Sequence, residues 1–483
     1  MDNLLQKFNE SREDDPVPIS RPSVNETSGS KNRFELAYDA RDYSAQFYHI
    51  YQNRLNVLRE RVETECQKKW DHGFKLNGKA VVKKQKVLDI QGNEPCWCVG
   101  TIYCEMKYKP NILEDVIHDT FGAPELVKSY TDPEGSDEIM LEDESGRVLL
   151  VGDFIGTTPL ISGMVVGLLG MEADAGSFQV LDICYPSPIP QRSLPDIKSE
   201  SDEAEYVAFV SGLNVNTTSP DRVLKLKLLQ EYLMGDLSTD SKLSKIGRLI
   251  ICGNSIDFNL RDRNVEKTIK CLEDFGDFLA NTLQTIPIGI MPGATDPSDK
   301  TLPQQPLNKA LFKESLRPYF DRVNSEILNL VTNPYNFTLN GLEVLVTSGQ
   351  NIDDIIKYIV PSQEKESSGS PDEDVDMDAK ELPVDSLEHR LDLMECTMRW
   401  QNIIPTAPDT LGCYPYKTDD PFILEEWPHI YAVGNQPQYG SKDIEMYGKT
   451  NIKLISVPTF STTGQIVLLD LKDMTTSVVD IEL

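Results

Sequence analysis

Ile251-Cys-Gly-Asn-Ser-Ile-Asp257 and Met291-Pro-Gly-Ala-Thr-Asp296 each set apolar residues directly before a glycine turn and an acid. Tyr206-Val-Ala-Phe-Val-Ser-Gly-Leu-Asn214, Val331-Thr-Asn-Pro-Tyr335 and Val433-Gly-Asn-Gln-Pro437 extend the pattern along the chain. Short apolar runs bounded by Gly, Pro and Asn predict buried strands that end in tight loops. Between them, the segments 220–235 and 265–283 carry apolar residues at three- and four-residue spacing and predict helices. Strands alternating with helices from residue 205 onward predict an α/β layered domain.

The strand ends follow the spacing of the calcineurin-like metallophosphoesterases, which the region resembles. That family reads D-x-H, then G-D-x-x-D, then G-N-H-D/E, an isolated His, and G-H-x-H. Here Gly212-Leu213 stands near D-x-H, and Gly253-Asn254 with Asp257 stands at the second motif. Gly293-Ala294-Thr295-Asp296 replaces the third, Asn333 falls near the isolated His, and Gly434-Asn435-Gln436-Pro437 replaces G-H-x-H. The turns survive and the ligands do not. A two-metal hydrolase converges imidazoles and carboxylates on ions about 4 Å apart. From residue 200 onward the chain has two histidines, His389 and His429, and neither occupies a motif position. Asp257 and Asp296 alone make too small a ligand set, so the expected fold is an inactivated phosphoesterase-type α/β sandwich without a metal or other cofactor.

The 483 residues have room for two to three domains. A net charge of −30 opposes sequence-independent grip on nucleic acid, which depends on Lys and Arg displacing counterions from phosphates. It suits protein partners instead. The opening Met1-Asp-Asn-Leu-Leu-Gln-Lys-Phe8 has neither the charged start nor the apolar run of a signal peptide. The apolar stretch 159–171 is too short to span a bilayer. A reducing, intracellular setting without membrane association is expected, in which nine cysteines, an odd number, are free thiols.

Residues 1–37 are polar and proline-rich and predict a disordered tail. A helix is expected over 45–70, where Phe47, Ile50, Tyr51, Leu55, Leu58, Val62 and Trp70 share a face. From 78 to 186 the period becomes that of strands, at 97–105, 138–142, 147–151, 164–171 and 178–184. Glu142-Asp-Glu-Ser-Gly-Arg147 turns a hairpin between two of them. Five short strands in about a hundred residues predict an OB-type barrel, so 38–186 reads as helix plus OB fold. Such barrels bind single strands through basic grooves and aromatic platforms, yet 131–144 holds seven acids and no Lys or Arg. A protein-interaction scaffold is the favoured use. Residues 187–204 read as a linker, 205–483 as the phosphoesterase-like domain, and 362–383 within it as an acidic disordered loop.

Cys96, Cys98 and Cys104 suggest zinc, but they fall on one face of one strand, where neighbours two apart sit about 7 Å from each other. Buried structural thiols are expected. Gln304 with Leu307 has the spacing of a sliding-clamp peptide, with Ala310-Leu311 where its aromatic pair belongs. Lys83, Lys84 and Lys86 are too few for an import signal or a DNA patch.

Four longer stretches carry a second resemblance: Ile90-Gln-Gly-Asn-Glu-Pro-Cys-Trp-Cys-Val-Gly100, Glu142-Asp-Glu-Ser-Gly-Arg-Val148, Asp296-Pro-Ser-Asp-Lys-Thr-Leu-Pro-Gln-Gln-Pro306 and Pro405-Thr-Ala-Pro-Asp-Thr-Leu-Gly-Cys-Tyr-Pro-Tyr416. Together with an OB-like barrel before an inactivated phosphoesterase domain, they resemble the B subunits of replicative DNA polymerases. Within these they resemble the small regulatory subunits of DNA polymerase delta, of fungal type, over residues 34–483. The resemblance implies a nuclear, non-catalytic subunit in DNA replication and repair. It implies that the chain holds the cysteine-rich C-terminal domain of a catalytic subunit and bridges it to a third, clamp-binding subunit. It also implies sharing with the catalytic subunit of translesion polymerase zeta, with DNA contact indirect. Archaeal members of the wider family keep the metal ligands and act as nucleases. The loop holding Asp409, Leu411, Tyr414 and Tyr416 has the composition of an interface, or of aromatics packed internally. A single-strand-binding OB protein is the alternative function, and an active phosphoesterase a weaker one.

Overall fold

The computed structural model describes residues 21–481 apart from 29–31, 72, 93, 111–126, 133, 174–175, 196–204, 217–218, 238–241, 258–264, 323–326 and 361–383. The chain divides into two compact units, both discontinuous. One comprises Met1–Arg41, Pro190–Gln350 and Glu426–Leu483, the other Asp42–Ile189 and Asn351–Glu425.

The second unit is built on a closed five-stranded barrel. Its strands Cys96–Glu105, Glu138–Glu142, Arg147–Val151, Phe178–Cys184 and Val165–Glu172 pair in that order, and the last pairs back to the first. The ten-residue first strand serves two neighbours: residues 101–105 pair with 142–138, and 96–101 with 170–165. Gly100 sits at the crossover, where a Cβ would lie 2.7 Å from the Glu142 carbonyl oxygen. Only glycine lets the two strands approach that closely. The helix Tyr48–Trp70 lays Leu55, Leu58, Val62, Cys66 and Trp70 on Trp97, Val99, Val165 and Leu169 of the barrel.

Residues 351–425 differ from the expectation of one continuous domain over 205–483. They contain most of the helix Gln350–Ile359 and all of Leu387–Trp400, and belong to the barrel unit. The cause is polar. The buried Arg54 guanidinium of the long helix bonds Asp420 and the carbonyls of Pro405 and Ala407.

The first unit stacks two six-stranded sheets. In one, Leu328–Leu330, Ile288–Met291, Ile246–Cys252 and Tyr206–Val210 run parallel, followed by antiparallel Gln465–Asp470 and Thr476–Asp480. In the other, Glu26–Ser28, Tyr335–Leu339, Leu342–Thr347, Ile430–Gln436, Thr450–Pro458 and Gly440–Met446 are neighbours in that order. Alternation places Val207 and Phe209 between the sheets, against a core that includes Phe337, Val344, Ile430 and Ile455. Ala208 and Val210 turn outward to the cluster that includes Leu229 and Leu233 of the helix Pro220–Met234 and Phe275 and Phe278 of the helix Val265–Thr282.

The expected tail over 1–37 needs correction where it is described. Glu26–Ser28 pairs antiparallel with Tyr335–Leu339, and Val24 and Phe34 are buried. Its polar residues are anchors. Arg21 donates to the carbonyls of Leu233, Leu243 and Ile246. Glu26 forms a buried ion pair with Arg248 at 2.8 Å and accepts from Tyr335 and Asn329. In the expected linker, Ser187 belongs to the barrel unit and donates its N–H to the Arg61 carbonyl, while Gln191 belongs to the sheet unit and donates to the carbonyls of Pro428 and Asn451. Residues 196–204 and the acidic loop over 362–383 lie outside the described residues.

Candidate functional site at the strand ends

The loops after the strands of both sheets meet. The Asn435 side-chain amide donates to the carbonyls of Cys252 (3.2 Å) and Ser348 (2.8 Å), and its backbone N–H donates to Ser211 Oγ. The Gly212 N–H donates to the Gly253 carbonyl. Gly253 has φ +84, and a Cβ there would lie 2.6 Å from that of Ser348, so the loops close only around glycine. Asn254 and Asn435 also take left-handed φ values, 54° and 57°.

Asn333 is the hub of this convergence and is 1% exposed. Its Nδ2 donates to Gln304 Oε1 (2.8 Å), Gln350 Oε1 (2.7 Å) and Ser348 Oγ (2.9 Å), while its Oδ1 accepts the Ser348 N–H (3.0 Å). Gln304, 0% exposed, carries the network on to the carbonyls of Gly293 and Asp299. Gln436 bonds the Gly434 carbonyl next to Pro437. Every group here is a neutral amide, hydroxyl or peptide.

The two carboxylates have separate duties. Asp296 is fully buried and accepts the N–H groups of Ile256 (2.9 Å) and Gly293 (2.8 Å), tying the 253–257 loop to its neighbour. Burial pushes its carboxyl up to about 6, against the opposing pull of those N–H groups. Asp257 is partly exposed and binds Arg222 (3.1 Å) and Asn216 (2.9 Å). Leu213 points into the apolar core, Asn254 Oδ1 accepts the Thr295 N–H, and Ala294 gives its carbonyl to Lys300. Among the described residues, no three His, Cys, Asp or Glu side chains group as a metal site. His429 accepts the Glu343 N–H at Nδ1 and faces the Arg192 carbonyl with Nε2. That pairing fits the neutral ring with Nε2 as donor. It is a structural histidine.

Sequence reading misses Gln304, Ser348 and Gln350 as members of this network. The one available signal is a Gln lying between prolines, which reads equally well as part of a clamp peptide. Gln304 and Leu307 are both buried, so that peptide is not displayed.

In the other unit, Tyr414 is 8% exposed and packs edge-on against Tyr43 (5.3 Å) and Tyr416 (5.0 Å). Its hydroxyl accepts the Asp42 N–H at 2.7 Å. Asp409 accepts from Lys109 Nζ (3.1 Å) and the Tyr358 hydroxyl (2.9 Å), while Leu411 is half-buried. The aromatics of this loop do packing work in their own unit.

The chain is 57% identical to the DNA polymerase delta small subunit of Saccharomyces cerevisiae, an alignment that covers all of both chains. It belongs to the DNA polymerase delta small-subunit family. It is 32% identical to the Oryza sativa subsp. japonica DNA polymerase delta small subunit, over 89% of this chain and 91% of that one. With Drosophila melanogaster DNA polymerase delta subunit 2 it shares 31% identity over 91% of this chain and 96% of the other. A family model described as DNA polymerase delta subunit OB-fold domain matches residues 46–183, the long helix and barrel. A second family model, for the B subunits of DNA polymerases alpha and epsilon, matches 207–441.

Proposed function

We propose that this chain is a non-catalytic accessory subunit of DNA polymerase delta, acting in replication and repair in the nucleus, with polymerisation carried out by a partner catalytic subunit. The observation that carries the reading is the family identity along the whole chain. The strand-end loops support it. The Asn333, Gln304, Ser348 and Gln350 side chains there bond one another and backbone, in what we read as a phosphoesterase-type fold that has exchanged ligands for amides. In this reading the rigid loops and the barrel unit form a scaffold. It holds the cysteine-rich C-terminal domain of the catalytic subunit and a third, clamp-binding subunit, and it serves translesion polymerase zeta as well. Any metal centre belongs to the partner's cysteines.

Co-expression with the cysteine-rich C-terminal domain of a delta catalytic subunit, followed by size-exclusion chromatography, tests the reading. Co-elution as one stable complex is expected. Separate elution, with the partner's metal centre shown to be loaded, would sink it. Leu411→Glu sharpens the result, because Leu411 is half-buried whereas Tyr414 is locked between two rings. Reduced co-elution of a folded Leu411→Glu chain places the 409–416 loop at the interface, and unchanged co-elution removes it.

A further inference from the structure

The long helix Tyr48–Trp70 and the barrel strand Phe178–Cys184 each bring one buried thiol to the same point. Cys66 lies one turn before the helix end, and Cys184 is the last residue of its strand. In the barrel ladder Cys184 is the register partner of Gly167. A Cβ on Gly167 would lie 2.2 Å from the Cys66 sulfur and 3.5 Å from the Cys184 Cβ. The missing side chain is therefore the space in which the Cys66 sulfur sits. Both cysteines belong to the core cluster of Val62 and Trp70 from the helix with Trp97 and Val165 from the barrel.

The two sulfurs are in hydrogen-bond contact, with the Cys66 S–H donating to the Cys184 sulfur. That bond draws the Cys184 thiol below its ordinary value against the effect of burial. The Lys69 ammonium, held beside Cys184 by Asp182 (2.8 Å) and the Ile183 carbonyl (3.1 Å), adds to the pull, while Glu65 and Asp182 oppose it. Burial pushes the Cys66 thiol up, and its donation to Cys184 adds to the rise. The pair is thus divided into an activated sulfur at Cys184, 4% exposed, and a resolving sulfur at Cys66, 0% exposed. Cys96 and Cys98 make the contrast. Two positions apart on one strand, they sit about 7 Å from each other, beyond the ordinary reach of a disulfide. Burial pushes their thiols up to about 11 and about 12.

We propose that Cys66 and Cys184 form an oxidisable dithiol, which hydrogen peroxide closes to a disulfide that staples the long helix to the barrel. The Cys184 thiolate attacks one peroxide oxygen and breaks the O–O bond. It becomes a sulfenic acid, and the hydroxide released takes up the proton that Cys184 lost. The Cys66 sulfur then attacks the Cys184 sulfur, forming the S–S bond and breaking the S–O bond. The departing hydroxide leaves as water with the Cys66 proton. The two thiols give up one electron each, and one peroxide is reduced to two waters. None of this rests on the scaffold reading, because the isolated full chain carries both thiols.

The test is graded hydrogen peroxide on the reduced, folded full chain, read by intact mass and by peptide mapping without reductant. The first disulfide product should be about 2 Da lighter, with 66 and 184 in one linked peptide that dithiothreitol separates. Circular dichroism should be unchanged. The thermal midpoint should rise, because the link closes residues 66–184 into one loop. Cys66→Ser should abolish the link and leave on Cys184 a sulfenic acid that dimedone traps. Cys184→Ser should leave Cys66 reduced at the same dose. Where a variant folds poorly, the wild-type peptide map alone decides. A first disulfide between other cysteines overturns the proposal, as do 66 and 184 thiols that stay reduced until the chain unfolds. A lowered midpoint in the linked chain overturns it too, since the bridge would then strain the fold instead of stapling it.

Discussion

Asn333 in the sheet unit and Arg54 in the barrel unit are both buried polar hubs, and they differ in charge for a reason visible in what surrounds them. Asn333 meets donors and acceptors alike: the Ser348 N–H on one side, the oxygens of Gln304, Gln350 and Ser348 on the other. A primary amide has both functions and needs no counter-ion. Arg54 meets oxygens only, from Asp420 at 2.7 Å and the carbonyls of Pro405, Ala407 and Gly163. A donor-only guanidinium fits that cage, and Asp420, itself buried, supplies the compensating charge. Loops that present mixed backbone groups thus select amides, while loops that present carbonyls select a cation. The strand-end network around Asn333 is neutral. The insert 351–425 is fastened to the barrel by an ion.

The largest effect should come from the charged hub. Arg54→Ala leaves Asp420 buried without its partner and three carbonyls short of a donor, at a cost of about 3–5 kcal/mol. Denaturant unfolding of the full chain measures it. Arg54→Ala/Asp420→Ala should cost less than the two single variants added together, because the second change removes the stranded charge. A loss below about 1 kcal/mol for Arg54→Ala would mean that water reaches the cage, and the contrast between the hubs would fail.

The neutral hub should be weaker. Asn333→Ala strands the Ser348 N–H, yet Gln304 Oε1 keeps a donor in Gln350 and the Ser348 hydroxyl keeps its bond to Gln350. About 2–3 kcal/mol is expected, since only part of the network is left unsatisfied. Amide hydrogen exchange should show faster exchange at Ser348. If Asn333→Ala costs more than Arg54→Ala, the amide network rather than the ion is the stronger fastening, and the comparison reverses.

The sequence made one kind of information legible and hid another. Alternating burial along Arg147–Val151 and over 178–181 follows directly from side-chain type, and the strands Glu138–Glu142, Arg147–Val151 and Phe178–Cys184 match expectation residue for residue. The glycine turns at 212 and 253 were readable for the same reason, that a backbone requirement leaves a residue-type signature, whereas Gly434, expected to end its strand, lies inside the strand Ile430–Gln436. The assignment of 351–425 to the barrel was hidden, because it depends on Arg54 finding peptide carbonyls more than a hundred positions away, and a carbonyl has no sequence signature. Glu26–Ser28 was hidden by its polarity. An edge strand anchored by Arg21 and Glu26 reads as a tail until Arg248 and the carbonyls of Leu233, Leu243 and Ile246 are seen around it. Asn333 and Asp296 were singled out only by their motif positions. Their structural work was not readable, since it lies in bonds to N–H groups of other loops.

The smallest effect belongs to Asp296, the fully buried carboxylate of the strand ends. Its folded-state value of about 6 lies above that of an unfolded aspartate, so folding favours its protonated form. Its contribution is fully present below the unfolded value and is lost as pH rises through about 6. Between pH 7 and pH 5 this one group should therefore stabilise the chain by about 1 kcal/mol. Asp296→Asn should flatten that part of the pH–stability curve while keeping one acceptor for the Ile256 or Gly293 N–H. A wild-type curve that rises with pH across this window, with the slope removed by Asp296→Asn, would show that the backbone N–H groups outweigh burial. The carboxylate would then belong with Arg54 as a charge held by its cage, and the strand-end site would not be the neutral member of the pair.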